Sequence, residues 1–109
     1  MKAEQRRYLR RSVQVEVRAR HEESDIPLIF DSRNLSPGGV FLRSGLLLEA
    51  GEPLALEFTL PGMKRPIRAR VHVAWVRRFA ADGSEAGMGV RFLNLSPEDQ
   101  RALEEFTGA

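Results

Sequence analysis

Four guanidinium side chains fall within six residues near the start of the chain, in the run Arg6-Arg7-Tyr8-Leu9-Arg10-Arg11. Like charges this close repel one another, so folding alone gives little reason for them. A guanidinium presents a fixed fork of donors to phosphate oxygens or to the O6 and N7 edge of guanine, and it stacks flat on a base. The chemistry it suits is capture of an anionic ligand with planar rings. A second polar cluster follows at Asn34-Leu35-Ser36-Pro37-Gly38-Gly39. Asn34 brings an amide and Ser36 a hydroxyl, while the glycines allow close approach of backbone or a positive φ. Each feature also has a plainer reading, the first as a solvated basic tail and the second as a tight β-turn. Neither decides the matter alone.

Other chemistries find little support. The two histidines, His21 and His72, fall in different elements without metal-ligand spacing or an evident carboxylate partner. Ser36 sits in a Ser-Pro-Gly-Gly turn and not in the Gly-x-Ser-x-Gly elbow of a hydrolase. No glycine-rich loop runs into Lys-Ser or Lys-Thr, so a phosphate loop of the NTPase kind is not expected. The absence of Cys excludes disulfides, a thiol nucleophile and a Cys-built zinc site, and it fits a reducing cytoplasm. The expectation is a protein that is not an enzyme and carries neither metal nor cofactor.

The elements that must position these groups read mainly as strands. Val13, Val15, Val17 and Ala19 alternate with Gln14, Glu16, Arg18 and Arg20, the period of a strand with one buried face. Ile26–Phe30 and Val40–Arg43 read as two more, followed by Leu54–Leu60 and a Pro61-Gly62 turn. The longest candidate, Ile67–Phe79, puts Ile67, Ala69, Val71, Val73, Trp75 and Arg77 on one face, with His72, Ala74 and Val76 on the other. Trp75 is thereby assigned to the core or the barrel rim. After a loop at Gly83, Met88, Val90 and Phe92 supply a last strand. One helix closes the chain over 96–107, with Ser96 as N-cap, Pro97 in the first turn, Glu98 and Asp99 at its positive end and Gly108 as the stop. About six strands at short spacing imply an all-β, antiparallel sandwich or small barrel with a C-terminal helix.

Composition bounds the class. The 109 residues are 42% hydrophobic and 29% charged, enough for one domain to bury a core without staples. No apolar run approaches the roughly 18 residues of a membrane helix, and no signal-peptide core is present. The formal charge of +2 hides a skew: residues 1–20 hold seven cations against two carboxylates, and the remaining 89 sum to −3. A basic leading segment on a mildly acidic body indicates a local anion site.

Taken together, the two clusters resemble the PilZ domain family, which is marked by Arg-x-x-x-Arg near its start and Asp-or-Asn-x-Ser-x-x-Gly further on. Arg6 to Arg10 meets the first motif and Asn34 to Gly39 the second. Gly39-Val40-Phe41-Leu42, Val73-Ala74-Trp75-Val76 and Gly87-Met88-Gly89-Val90-Arg91-Phe92 match as well, so the similarity spans about residues 4–106. The resemblance implies a six-stranded antiparallel β-barrel with a C-terminal helix, one domain over 1–109, and a mobile arginine segment over 1–11. It implies a bacterial, cytoplasmic receptor for the second messenger cyclic di-GMP, of the kind that governs motility or biofilm formation. Arg6 and Arg10 would hold phosphates and guanine edges, with Arg7 adding a contact, while Asn34 and Ser36 bond the ligand and Gly39 permits its approach. The doubled arginines leave a second frame, Arg7 with Arg11, open. Ser12 stands where the family often has Pro, and Asn34 where many members have Asp.

The expected output is relay of the messenger level to a partner protein. The alternative is a PilZ-like interaction module that binds no nucleotide. Neither DNA nor RNA is an expected partner, since a single-strand binder needs several stacking aromatics and this chain is 7% aromatic. Membrane insertion is not expected, and the chain is taken as a monomer or weak dimer.

Overall fold

In a computed structural model of the chain, the described residues are 13–45, 48–78 and 86–108. Arg6, Arg7, Arg10 and Arg11, with the whole 1–11 segment, lie outside them, as do Phe79 and Gly83. Alternation of apolar and polar residues builds the strands: β1 (Gln14–His21), β2 (Ser24–Asp31), β3 (Leu35–Ser36), β4 (Gly39–Arg43), β5 (Pro53–Phe58), β6 (Ile67–Arg77) and β7 (Gly87–Asn94). All pair antiparallel, in the order β2-β1-β5-β6-β7-β4-β3. A further bridge, Ile29 with Arg43, joins β2 to β4 and closes the circuit.

That closure explains why seven strands make a six-stranded barrel. β2 and β3 both lie along β4, one at Arg43 and the other at Val40 and Gly39. They are one interrupted strand. The interruption is a 3-10 turn over Ser32–Asn34, capped by Asp31, whose Oδ1 accepts from the Arg33 amide at 2.8 Å. Ser32 turns inward and is buried, and Asn34 is left on the surface.

Inward residues of each strand fill the barrel. Val15, Val17 and Ala19 of β1 meet Leu54, Leu56 and Phe58 of β5 and Ile67, Val71 and Val73 of β6. Phe30 and Phe58 pack edge to face at 5.3 Å. Removing this apolar surface from water is the main source of stability, at about 25 cal/mol per Å². Helix α1 (Pro97–Thr107) packs against β3, buries Leu103 and half-buries Phe106. Its start follows the expected chemistry: Ser96 Oγ accepts from the Asp99 amide at 3.0 Å, Pro97 occupies the first turn and Gly108 takes φ 76° at the end. Asp99 is buried and faces the Arg65 guanidinium at 3.1 Å.

Two expectations need correction. Trp75 and Arg77 do not continue the inward face of β6. A register shift between Val73 and Trp75 leaves Ala74 without a partner on β7, and such a bulge reverses the alternation beyond it. Val76 therefore packs against the core and Trp75 stands outside, 47% exposed. His21, expected to lack a carboxylate partner, has its Nε2 2.7 Å from Glu52 Oε1.

Candidate functional site

The second polar cluster folds as a hairpin, with Leu35 opposite Val40 and Ser36 opposite Gly39. Pro37 and Gly38 form its two-residue connection. The Ser36 hydroxyl organises this bend: it accepts from the amides of Gly38 at 3.2 Å and Gly39 at 3.3 Å, and donates to the Gly39 carbonyl. The glycines differ in what they do. A Cβ on Gly39 would collide with the Val90 carbonyl oxygen, because β4 and β7 approach closely there. One on Gly38 would meet only Ser36 Oγ, at 3.8 Å. Neither takes a positive φ; among the described residues the left-handed glycines are Gly51, Gly62 and Gly108.

Beside this hairpin the outer surface of β4, β7 and β6 forms a cleft of about 720 Å³. Its floor is set by pairing register. Gly89 on β7 lies between Phe41 on β4 and Trp75 on β6, and Arg91 lies opposite Gly39. Since Gly89 and Gly87 have no side chains, the Trp75 ring lies over the first and the Phe41 ring over the second, with ring centroids 5.3 Å apart and planes 19° apart. The Arg77 guanidinium sits 4.8 Å above the Phe41 ring and 5.6 Å from that of Trp75. A cation held on a ring face in this way stays partly desolvated and oriented. Asn34, Ser36 and Gly39 line one side of the cleft, Trp75 and Arg77 the other, and exposed Arg91 rises from its base. The side-chain amide of Asn34 makes no hydrogen bond among the described residues.

Val13, the first of the described residues, is held to the turn by two backbone groups. The Val13 amide donates to Ser32 Oγ at 3.1 Å, and the Ser32 amide donates to the Val13 carbonyl at 2.7 Å. Val13 is thus pinned two residues from Asn34.

A family model described as PilZ domain matches residues 4–109. The chain belongs to the PilZ domain family. Among solved structures it is similar to the Bacillus subtilis inhibitor of motility, MotI/DgrA, with a TM-score of 0.73 and 27% sequence identity. That likeness covers 92% of this chain and 47% of the other, so the chain spans about half the length of that neighbour. No curated protein sequence matches.

The PilZ assignment gives the two clusters a common setting, and PilZ domains are binding or adaptor modules that take cyclic di-GMP as ligand. Of the site residues expected from sequence, Asn34, Ser36 and Gly39 meet at one cleft; the arginines lie outside the described residues. Sequence reasoning missed Phe41, Trp75, Arg77 and Arg91. The legible signal was Gly87-x-Gly89, two side-chain-free positions on the outward face of one strand, which invite neighbouring side chains to lie flat across them. Among the described residues no cluster of His, Asp and Glu could hold a metal ion, and no helix is long and apolar enough to cross a membrane.

Proposed function

We propose that this PilZ domain is a cytoplasmic cyclic di-GMP receptor that relays the messenger level to a partner protein. The observation that carries the reading is the pinning of Val13 beside the Asn34 turn. Arg10 lies three residues before Val13, a span of about 10 Å, and Arg6 seven residues before it, about 24 Å at full extension. Each span exceeds the two residues, about 7 Å, between Ser32, where Val13 is held, and Asn34 on the cleft. A ligand with two phosphates and two guanines matches what converges there. Arg6 and Arg10, or Arg7 and Arg11 in the alternative frame, bind phosphates and guanine edges, and the Asn34 carbonyl accepts from a guanine edge. The exposed ring of Trp75 stacks a base, while Arg91 and Arg77 add positive field. Ser36 acts chiefly by shaping the turn, because its hydroxyl already serves three backbone groups. Gly39 lets strand approach strand.

Ordering the arginine segment costs about 1–2 kcal/mol per residue, which the phosphate contacts must offset. Binding should therefore close the segment over the cleft and weaken as salt rises. The closed segment is a new surface, and a partner selective for it converts messenger level into output. Control of motility, the process for which the solved neighbour is named, is one such output.

Calorimetric titration with cyclic di-GMP, with GTP as control, tests the reading. Saturable heat that disappears in Arg6→Ala/Arg10→Ala supports it, and no heat at about 50 μM ligand, a concentration at which charge-assisted recognition should register, overturns it. A second reading, an interaction module without nucleotide, is favoured by one fact: turn and strand packing account for Ser36 and Gly39 without a ligand. The same titration decides between them.

A further inference from the structure

A different face of the barrel carries a second basic surface. Outward positions of β1 hold Arg18 and Arg20, and those of β6 hold Arg68 and Arg70. β5 lies between, so that Arg18, Glu57 and Arg68 form one row and Arg20, Ala55 and Arg70 the next. The two arginine columns stand two strands apart, about 9.5 Å, and Ala55 leaves the strip between them low. The resulting furrow has a volume of about 400 Å³. Two of its cations are occupied at the surface: Arg20 lies 3.9 Å from Asp25 and Arg68 lies 3.4 Å from Glu57. Arg18 and Arg70, on the diagonal, make no ion pair among the described residues.

We propose that this furrow docks an acidic, amphipathic helix of a partner protein. A helix, about 10–12 Å across with its side chains, is wider than the gap between the columns and lies along their tips, with its carboxylates directed down towards the guanidiniums. The diagonal from Arg18 to Arg70 spans about 12 Å between Cα positions, two strands across and two residues along. Carboxylates two turns apart on one helix face are about 10.5 Å apart and fit it. Such contacts on an exposed rim act mainly through steering and orientation. Glu57 and Asp25 stand within the patch, so an anion must meet Arg18 and Arg70 while avoiding them; a helix can confine its carboxylates to those two corners, whereas the evenly spaced phosphates of a polyanionic backbone cannot. The furrow shares β6 with the cleft, and their nearest lining residues on that strand, Arg70 and Ala74, are four apart, about 13 Å.

The test uses the full chain, 15N-labelled, and a capped 18-residue helical peptide with glutamates confined to one face. Amide shifts should cluster on outward residues of β1, β5 and β6. Affinity should fall about tenfold in Arg18→Gln/Arg70→Gln, with the cyclic di-GMP titration unchanged in the same variant. Shifts centred on the N-terminal arginines or on the cleft overturn the proposal. So does equal binding by a peptide of the same composition with glutamates spread around the helix, or tighter binding by an oligothymidylate. Since the nucleotide titration is read separately, failure of this inference and failure of the receptor reading are distinguishable.

Discussion

The two ends of β6 present arginine in opposite settings. Towards Arg77 the neighbours on β7 are Gly87 and Gly89, whose missing side chains let Phe41 and Trp75 lie flat and carry the guanidinium on their faces. Towards Arg68 the neighbours on β5 are Glu57 and Ala55, and the arginines stand in columns with a carboxylate among them. A flat aromatic floor with cations above suits planar rings and phosphates. The furrow at the other end alternates in charge and is partly neutralised within itself. Arginine places positive charge at both ends, and the small residues between set the shape of each surface.

Removing charge from one end alone has the largest expected effect. Arg6→Ala/Arg10→Ala should weaken cyclic di-GMP binding about 100-fold or more, at roughly 1.5–3 kcal/mol for each charge-assisted bond, and leave the acidic-peptide shifts on the furrow intact in NMR. Next comes the floor. Gly39→Ala forces a Cβ against the Val90 carbonyl and should cost about 2–3 kcal/mol, a drop in melting temperature of about 10 °C or more by calorimetry. Gly38→Ala should melt like the wild type. If the two behave alike, the close approach of β4 to β7 is not what that glycine serves. Trp75→Ala should lose about tenfold in ligand affinity, with stability changed by less than about 1 kcal/mol because the ring is half exposed. An unchanged titration would remove Trp75 from the site.

The smallest effect lies apart from both regions. Glu52 accepts from the Glu49 amide at 3.0 Å and faces His21 at 2.7 Å, and the backbone bond first, then the histidine, hold its carboxyl below the ordinary value of 4.5. A carboxyl lowered on folding contributes stability above its unfolded pKa and loses it as pH falls through the folded one. The stability difference between wild type and Glu52→Gln, measured by urea unfolding, should therefore be present near neutrality and shrink below about pH 4.5. Neither binding surface should respond.

Much of this was legible in local patterns. The alternation in Val13–Arg20 and Leu54–Leu60 marked β1 and β5, and Ser96 with Pro97 marked the start of α1. The tetrapeptide Asn34-Leu35-Ser36-Pro37, repeated at 94–97, shows where local reading stops. Both serines accept backbone amides, but Gly38-Gly39 turns the first copy into a hairpin and Glu98-Asp99 starts a helix from the second. The bulge at Ala74 was not legible, because nothing in Val73-Ala74-Trp75-Val76 interrupts the alternation. It arises from how β6 registers on β7, a property of the pair.

Taken alone, the order of residues determined the strands, the helix and its cap, and the family, since each rests on periodicities and short spacings within one segment. Only the tertiary structure decided that Trp75 faces outward, that Arg77 rests on an aromatic pair, and that Val13 is tied beside Asn34. Each of these depends on contacts between residues far apart in the chain, whose register is set by the closing of the whole barrel.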